Sequence, residues 1–475
     1  MLDRDVLSRV LEKALAKGAD FAEIYVEDKQ VSNVVCEDDK IEKINSGKEK
    51  GAGIRVIKDG KTAYVYTNDL SLDGLMKAAT VASKTSGQQD ATDGMKIQLS
   101  LQEPEFSMRF LRLPEQVDFA EKINQVLSAN QVARNLNEEI RQVTVALGDM
   151  HKRIQIANSE GDLVEDEICR VRMVVNAIAL RQGQIQTGYE VAGGVSGWEL
   201  LEKVSLEDMA HQAAGRAIAM LSAQPAPTGR MPVVMHSEAG GTMIHEACGH
   251  GLEADLVQKG LSVYKDKLGE QVATAEVSVV DDATLPGKYG SFCWDDEGSP
   301  ARRTVLIDKG ILRGYLNDRL TAGKDGQELS GNGRRESYQD KPIPRMSNTF
   351  IAPGNDEPDE IIKSTAYGLL VKKMGGGQVN TTNGDFVFDV QEGFMIEAGE
   401  IKYPVRGATL TGNGPQTLLD IDRVGRDLGF AIGVCGKDGQ GVAVGDAQPT
   451  IRIKELTVGG TMMANGPEIK RIRRK

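Results

Sequence analysis

Histidine is scarce in this chain, with five residues among 475, and aromatic residues make up only 5% of it. Hydrophobic runs are short, and none approaches the ~20 residues of a transmembrane helix, so we expect no membrane span. The N-terminus, Met1-Leu2-Asp3-Arg4-Asp5, lacks the basic-then-apolar layout of a signal peptide. Five cysteines without regular spacing do not indicate a disulfide framework. Together these absences predict a reducing, cytoplasmic setting.

Net positive charge is also absent. The formal net charge is −12 and the isoelectric point is near 5.2. Surfaces that bind nucleic acid normally carry a basic footprint, so we expect no nucleic-acid partner. The one basic cluster, at residues 470–475, is interpreted as a solvated tail.

Hydrophobic periodicity predicts an α+β fold with two domains. In the first half, helical spacing over residues 6–15, 72–83 and 114–136 alternates with strand-like segments, the first two at 21–26 and 31–36, which is typical of a mixed α/β domain. The second half is rich in glycine and in short alternating segments, which favours antiparallel β-structure with few helices, one of them predicted from about residue 416 to 426. A Pro/Gly segment at residues 224–229 separates the two patterns. The predicted domains are therefore an N-terminal α+β domain, 1–224, and a β-rich C-terminal domain, 225–475.

Two of the five histidines lie in one stretch, residues 243–253, which reads MIHEACGHGLE. Imidazole nitrogens suit zinc, and Glu246 beside His245 could act as a general base on water at the metal. His245 and His250 are five residues apart, so an ideal α-helix would turn them ~140° away from each other. Gly249, as a glycine, tolerates unusual dihedrals and would permit a local bulge or an unwound helix end that brings both to one ion. Ser237 is predicted to cap a helix that carries this motif to about residue 256.

The residue chemistry leaves the third metal ligand open. Glu253 and Glu276 are carboxylates downstream of the motif, as in zinc peptidases that use two histidines and a glutamate. Cys435 ends an apolar strand at the start of a glycine-rich turn, where a thiolate could also reach an ion. Cys248 lies inside the motif, but one short segment rarely wraps three ligands around an ion, so its role is unassigned.

Short segments along the whole chain accompany the motif. They are GADFAE at 18–23, GAGIRVI at 51–57, DEG at 296–298, GNGRR at 331–335, RMSNT at 345–349 and CGKDGQ at 435–440. With residues 245–253, they closely resemble the TldD-type metalloproteases of the TldD/PmbA family, essentially from end to end.

The resemblance implies roles for four residues. His245, His250 and Cys435 would bind Zn²⁺, and Glu246 would be catalytic. It also implies an intracellular peptidase that acts on unfolded polypeptides or modified peptide precursors. The PmbA (TldE) branch lacks the histidine motif, so the chain resembles the catalytic TldD subunit. A PmbA/TldE-like protein is the implied partner, in a hetero- or homodimer.

Metal-assisted amide hydrolysis is the predicted reaction. Four side chains are candidates for stabilising the oxyanion, and the sequence does not choose among them: His236, Tyr315, Arg334 and Arg345. An extended substrate could pair with an exposed strand edge near the site, which would give broad specificity.

Two other classes remain open. A non-proteolytic zinc amidase could use the same ligands. A scaffold protein with a structural metal would have a closed four-ligand site and no use for Glu246.

Overall fold

The computed structural model describes residues 1–84 and 96–460. The basic cluster at 470–475 lies outside the described residues. The α+β prediction is confirmed, because helices and mostly antiparallel sheets are mixed along the chain. None of the helices in the described part is long and apolar enough to cross a membrane.

The N-terminal half contains five helices and seven strands within the described residues. The helices are α1 (Arg4–Leu15), α2 (Leu72–Ser83), α3 (Phe119–Asn135), α4 (Leu200–Lys203) and α5 (Leu206–Leu221), with a 3₁₀ turn at Pro114–Gln116. The strands are β1 (Phe21–Glu37), β2 (Lys40–Lys58), β3 (Lys61–Thr67), β4 (Ser100–Leu101), β5 (Ile140–Asn158), β6 (Asp162–Arg181) and β7 (Gln184–Val195).

These seven strands form one sheet in the order β3-β2-β1-β5-β6-β4, and β7 also pairs with β6. All of its pairs are antiparallel except β4 with β6. Successive residues of a strand face opposite sides of a sheet. In β1 the side chains of Ala22, Ile24, Val26, Val34 and Cys36 face the helices, where they are buried in two apolar clusters. The opposite face of the sheet lies against the C-terminal half.

The C-terminal half contains the remaining described elements. Its strands are β8 (Gln224–Pro225), β9 (Gly229–Met235), β10 (Val279–Asp282), β11 (Arg303–Asp308), β12 (Ile311–Leu312), β13 (Gly333–Arg334), β14 (Ile343–Pro344), β15 (Asn348–Ile351), β16 (Tyr367–Val379), β17 (Asp385–Glu397), β18 (Glu400–Arg406), β19 (Thr409–Asn413), β20 (Ile421–Val424), β21 (Gly429–Lys437), β22 (Gln440–Gln448) and β23 (Ile451–Gly459). Its helices are short: α6 (Thr242–Ile244), α7 (Ala254–Gln258), α8 (Arg319–Asp325), α9 (Pro358–Lys363) and α10 (Gly414–Asp420).

Two larger sheets organise this half. One has the order β12-β11-β10-β15-β22-β21, with β15 and β22 parallel. In the other, β16, β9, β23, β19 and β17 pair in sequence, and β17 pairs back with β16, so the pairing closes a ring. The largest apolar cluster fills the space between these strands and the motif segment. Within residues 1–84 and 96–460, no sheet shares strands between residues before 224 and residues after it, but the exact domain boundary at 224/225 stays a prediction.

Two helix predictions in this half were wrong. The stretch from 237 to 256 is not one helix: it consists of a 3₁₀ turn at Ser237–Ala239, α6, a π-helical turn, another 3₁₀ turn and α7. The helix expected from 416 to 426 ends at Asp420, because the following residues form β20 and pair with β23. Pairing in the sheet overrides helical spacing in that segment.

Buried charges join the two halves. Arg55 contacts Glu23 at 2.7 Å and Glu297 at 2.5 Å, and Arg335 contacts Glu23 at 2.6 Å. The guanidinium of Arg335 also lies 4.3 Å from the centre of the Tyr25 ring. Burial by itself would raise the pKa of the Glu23 carboxyl, but Arg55 and Arg335 outweigh it and lower that pKa. All of these side chains are almost fully buried. Each buried charge therefore depends on its oppositely charged partners for stabilisation.

Replacement of Arg335 by alanine is expected to destabilise the chain by about 3–5 kcal/mol, because it leaves Glu23 buried with one cation fewer. Lys77→Ala is the control, since its ion pair with Asp73 is exposed and should contribute little to stability. Urea unfolding measures both changes. Similar losses in the two variants would contradict a structural role for the buried pair.

Candidate active site

One π-helical turn, His245–Gly249, carries the motif. Its closing hydrogen bond runs from the backbone N–H of His250 to the carbonyl of His245, five residues earlier. A spacing of five therefore corresponds to one turn here, and both imidazoles lie on the same side. Their ring centres are 4.9 Å apart and their planes are nearly perpendicular, at 85°. The predicted local bulge takes this form.

Gly249 is required for close packing rather than for an unusual backbone angle. Its φ and ψ are −52° and −57°, which any residue adopts. A Cβ atom at this position would lie 2.2 Å from the sulfur of Met346, a fully buried side chain. The expectation that Gly249 serves through unusual dihedrals was wrong, and the steric reason replaces it.

Cys435 completes a group of three donors with the two histidines. The imidazole nitrogens and the sulfur all lie within 4.8 Å of one another, and Cys435 Sγ is 3.3 Å from His250 Nε2. Two imidazoles and one thiolate are a donor set that suits Zn²⁺. Cys435 belongs to β21, so the group joins a helical turn to a strand that follows it by 185 residues.

A carboxylate orients each histidine. His245 Nδ1 lies 2.7 Å from Asp446 Oδ1, and His250 Nδ1 lies 3.1 Å from Glu253 Oε2. Histidines that bind a metal commonly donate their second ring N–H to such an acceptor, which leaves the other nitrogen for the ion. Both Nδ1 atoms are used in this way, so the structure fits a metal held by the two Nε2 atoms and Cys435.

Electrostatics in this group favours a thiolate. Burial opposes ionisation of Cys435, but His245 and His250 outweigh it and lower the pKa of the thiol to about 5. Burial likewise opposes protonation of His250, yet Glu253 and Cys435 raise its pKa to about 9. The pKa of His245 is raised well above its usual range, because Asp446 outweighs burial. A cation bound here would replace these ring protons.

The hairpin of β21 and β22 supplies several of these contacts. Arg345, fully buried, donates to the backbone carbonyls of Cys435 at 2.5 Å and Gln440 at 3.2 Å. Lys437, the last residue of β21, lies 3.1 Å from Glu253. β22 contributes Asp446. The position of the hairpin therefore fixes the third donor and the partner of His245, and Lys437 contacts Glu253, the partner of His250.

An open groove of about 590 Å³ exposes the donors, and Glu246 lies on its wall. The carboxylate of Glu246 is half-buried, and burial raises its pKa although the two histidines oppose this. In residues 1–84 and 96–460 no group donates a hydrogen bond to it. Glu246 is thus available to a molecule in the groove.

Comparison with known proteins identifies the family of the chain. Three models of PmbA/TldA metallopeptidase domains match the chain: domain 1 at residues 22–86, the central domain at 112–221 and the C-terminal domain at 228–460. A protein named metalloprotease from Methanothermobacter thermautotrophicus is 37% identical over 97% of this chain and 100% of its own length. The chain belongs to the PmbA/TldA metallopeptidase family.

Two more distant matches also cover nearly the whole chain. A Saccharolobus solfataricus protein named zinc metalloprotease TldD homolog is 26% identical over 95% of this chain and 99% of its own length. The crystal structure of TldE from Thermococcus kodakarensis superposes with a TM-score of 0.76, at 19% identity, over 96% of this chain and 100% of that one. The second likeness concerns the fold alone.

The alternative ligands of this metallopeptidase lie elsewhere. Glu253 orients His250, and Glu276 lies in an exposed turn outside the donor group. Cys248 is fully buried in the apolar core, and its sulfur lies 3.5 Å from the carbonyl of Ile244.

None of the four oxyanion candidates lines the groove. Arg345 and Arg334 donate to backbone carbonyls, Arg334 to those of Met346 and Ala443. The Tyr315 hydroxyl donates to the carbonyl of Tyr264, and His236 accepts from the N–H of Glu238. These bonds give each side chain a structural role.

The sequence did not indicate Asp446 as a residue of the site. It ends an alternating segment, and an isolated aspartate after a strand is typical of a turn. The turn at Asp438-Gly439 is the signal that could have located it. That turn sets an antiparallel register in which Asp446 lies opposite Ala431, so it reaches the level of the motif.

Gly249→Ala is expected to destabilise the fold by about 1–3 kcal/mol, because the added methyl group overlaps Met346 in a packed core. Gly215→Ala is the matched control, since it lies inside α5 and a Cβ there meets nothing within 4 Å. The control should stabilise by about 0.5–1 kcal/mol. Thermal unfolding measures both. A neutral Gly249→Ala variant would contradict the steric argument.

Proposed function

We propose that this protein is a zinc-dependent peptidase of the TldD type. The observation that carries the proposal is the meeting of His245, His250 and Cys435, with Glu246 on the wall of the same groove. The donor chemistry and the carboxylate partner of each histidine support zinc, and a TldD-like relative is named a zinc metalloprotease. Three donors leave the open position that catalytic sites need.

Zinc, when bound, would polarise a substrate carbonyl and make water a better nucleophile. Glu246 would accept a proton from the attacking water, since its carboxylate faces the groove without a partner among the described residues. Glu246 would then deliver this proton to the leaving amine. His245 and His250 are held by Asp446 and Glu253, so their Nε2 atoms keep one orientation during the reaction.

The substrate is proposed to be an unfolded polypeptide or a peptide precursor. β21 is the last strand of its sheet and pairs, within the described residues, only with β22. Its outer edge borders the groove, where the Val434 side chain is 58% exposed. An extended peptide could pair with that edge through its backbone, which would bring a scissile bond near Cys435 without a strong side-chain preference. A folded protein offers no such free segment.

The working form is proposed to be a dimer inside the cell. A PmbA/TldE-like protein is the preferred partner, because the related TldE chain has the same fold over nearly the same length. Copies of this chain are the alternative. All five cysteines are free and buried, which suits a reducing, cytoplasmic setting.

Glu246→Gln is expected to abolish peptide cleavage while zinc content stays the same, because it removes the base but no donor. The loss should be about 100-fold or more, the usual scale for a general base. Glu276→Gln, in an exposed turn, should cleave like the wild type. The assay measures cleavage of an unstructured peptide with and without the TldE-like partner.

Three other outcomes have distinct meanings. Equal cleavage by wild type and Glu246→Gln would remove Glu246 from the mechanism. Turnover of small amides without peptide cleavage would favour the amidase. No turnover of either substrate by the zinc-loaded wild type would favour a structural metal.

Cys435→Ala is expected to weaken zinc binding by about 100-fold or more, since even residues that only orient ligands contribute 10–100-fold. Cys248→Ala is the control, because it removes a buried thiol of the histidine motif that lies outside the donor group. This variant should keep the wild-type zinc affinity. Competition with a fluorescent chelator measures both affinities. Equal affinities would show that Cys435 is not a ligand.

A further inference from the structure

A second cavity lies between the open face of the first sheet and the C-terminal half. Its volume is about 320 Å³ and it shares no lining residue with the metal groove. Small-molecule pockets span ~300–1,000 Å³, so this one could hold a small organic ligand. β1, β5 and β6 form one wall, and residues 289–296, 334–336 and 441–443 form the other.

Basic side chains outnumber acidic ones around this cavity. The basic residues are Lys29, Lys152, Arg170, Arg172, Arg334 and Arg335, and the acidic residues are Asp149, Asp295, Asp296 and Glu336. The carboxylates already have partners. Asp149 contacts Lys122 at 2.6 Å, Asp296 and Glu336 accept backbone N–H groups, and Asp295 accepts three of them. Of the basic residues, Lys152 pairs with Asp296 in the lining, and Lys29 and Arg335 pair with Glu49 and Glu23 beside it. Within the described part of the chain, the charge left without a carboxylate is that of the other three arginines.

Three of the arginines have no carboxylate partner among the described residues. Arg170 donates only to the carbonyls of Tyr289 and Ser291, and Arg334 only to backbone carbonyls. The guanidinium of Arg172 has no hydrogen bond within residues 1–84 and 96–460, although its Nε is buried. Arg170 and Arg334 are more than nine-tenths buried. Buried guanidiniums normally require an anion.

A fourth donor lines the same cavity. The indole Nε1 of Trp294 is buried without an acceptor, and the residue is only 7% exposed. Burial, and after it the nearby Arg170, lower the pKa of the Arg334 guanidinium to about 10. An anion between these groups would relieve that repulsion and satisfy the unused donors.

We propose that this cavity binds a small organic oxyanion, whose carboxylate or phosphate group lies between Arg170, Arg172 and Arg334. Guanidinium groups bind both kinds of oxyanion with paired, charge-assisted hydrogen bonds. The apolar side chains of Ile168 and Phe292 line the same space and would contact the carbon part of the ligand. The cavity shares no lining residue with the metal groove, and the proposal does not rest on the proposed peptidase activity.

Isothermal titration of the full chain with sodium succinate and with sodium phosphate tests the proposal, with sodium chloride at equal ionic strength as the reference. At least one oxyanion should bind saturably, and the stronger of the two identifies the preferred group. Arg172→Gln should weaken that binding at least tenfold. Arg153→Gln is the matched control, because it lies on β5 outside the cavity and is exposed.

Two further variants make the test decisive. Trp294→Phe removes the indole N–H while keeping a smaller aromatic ring, and should also weaken binding, which covers the case in which Arg172→Gln does not fold. Binding should persist in Cys435→Ala, which separates this cavity from the metal site. The proposal is overturned if neither oxyanion binds saturably, if the folded cavity variants bind like Arg153→Gln, or if Cys435→Ala abolishes binding.

Discussion

The contact between Arg345 and the β21–β22 hairpin is the constraint on which the donor group depends. This buried guanidinium bonds to the carbonyls of Cys435 and Gln440, one on each strand of the hairpin. Cys435 and Asp446 lie on those two strands. The guanidinium of Arg345 therefore positions both the third donor and the carboxylate that orients His245. The geometry of the site is thus determined by residues that are far from the histidine motif in sequence.

The π-helical turn is the complementary constraint. In a regular α-helix a spacing of five would separate His245 from His250 by ~140°. The i to i+5 hydrogen bond removes that offset, and Met346 packs against Gly249 where no side chain would fit. π-turns are rare and often occur at functional sites, because they alter the spacing of side chains at a local energetic cost. Here the altered spacing is what allows two histidines of one segment to share an ion.

Sequence periodicity predicted some elements closely and others poorly, for physical reasons. The helix at residues 72–83 was predicted to the residue, since its apolar face packs on one sheet and Ser71 caps it. β1 was predicted as two strands, because charged and polar residues at 27–30 interrupt its apolar pattern. In the structure Glu27 and Lys29 lie on the face towards the C-terminal half, where partners compensate them. Alternation cannot reveal a charged face that another part of the chain covers.

The candidate site shows the same division between local and distant information. Local chemistry identified His245, His250 and Glu246, whereas Cys435 was preferred over the glutamates only through family resemblance. Asp446 was missed altogether. Its role depends on strand register, which places it opposite Ala431 and within 2.7 Å of His245. The spacing of residues within one segment cannot predict the contact between Asp446 and His245.

Arg334 and Arg335 show why the N-terminal half matters to the metal centre. They are consecutive, so their side chains leave the backbone on opposite sides. Arg334 bonds to the carbonyl of Ala443 on β22, while Arg335 bonds to Glu23 on β1. This dipeptide therefore ties the hairpin that carries Cys435 to the N-terminal sheet. In a C-terminal half alone, the charge of Arg335 would be exposed or would lack its Glu23 partner. The donor geometry is therefore a property of the whole chain rather than of the domain that contains the donors.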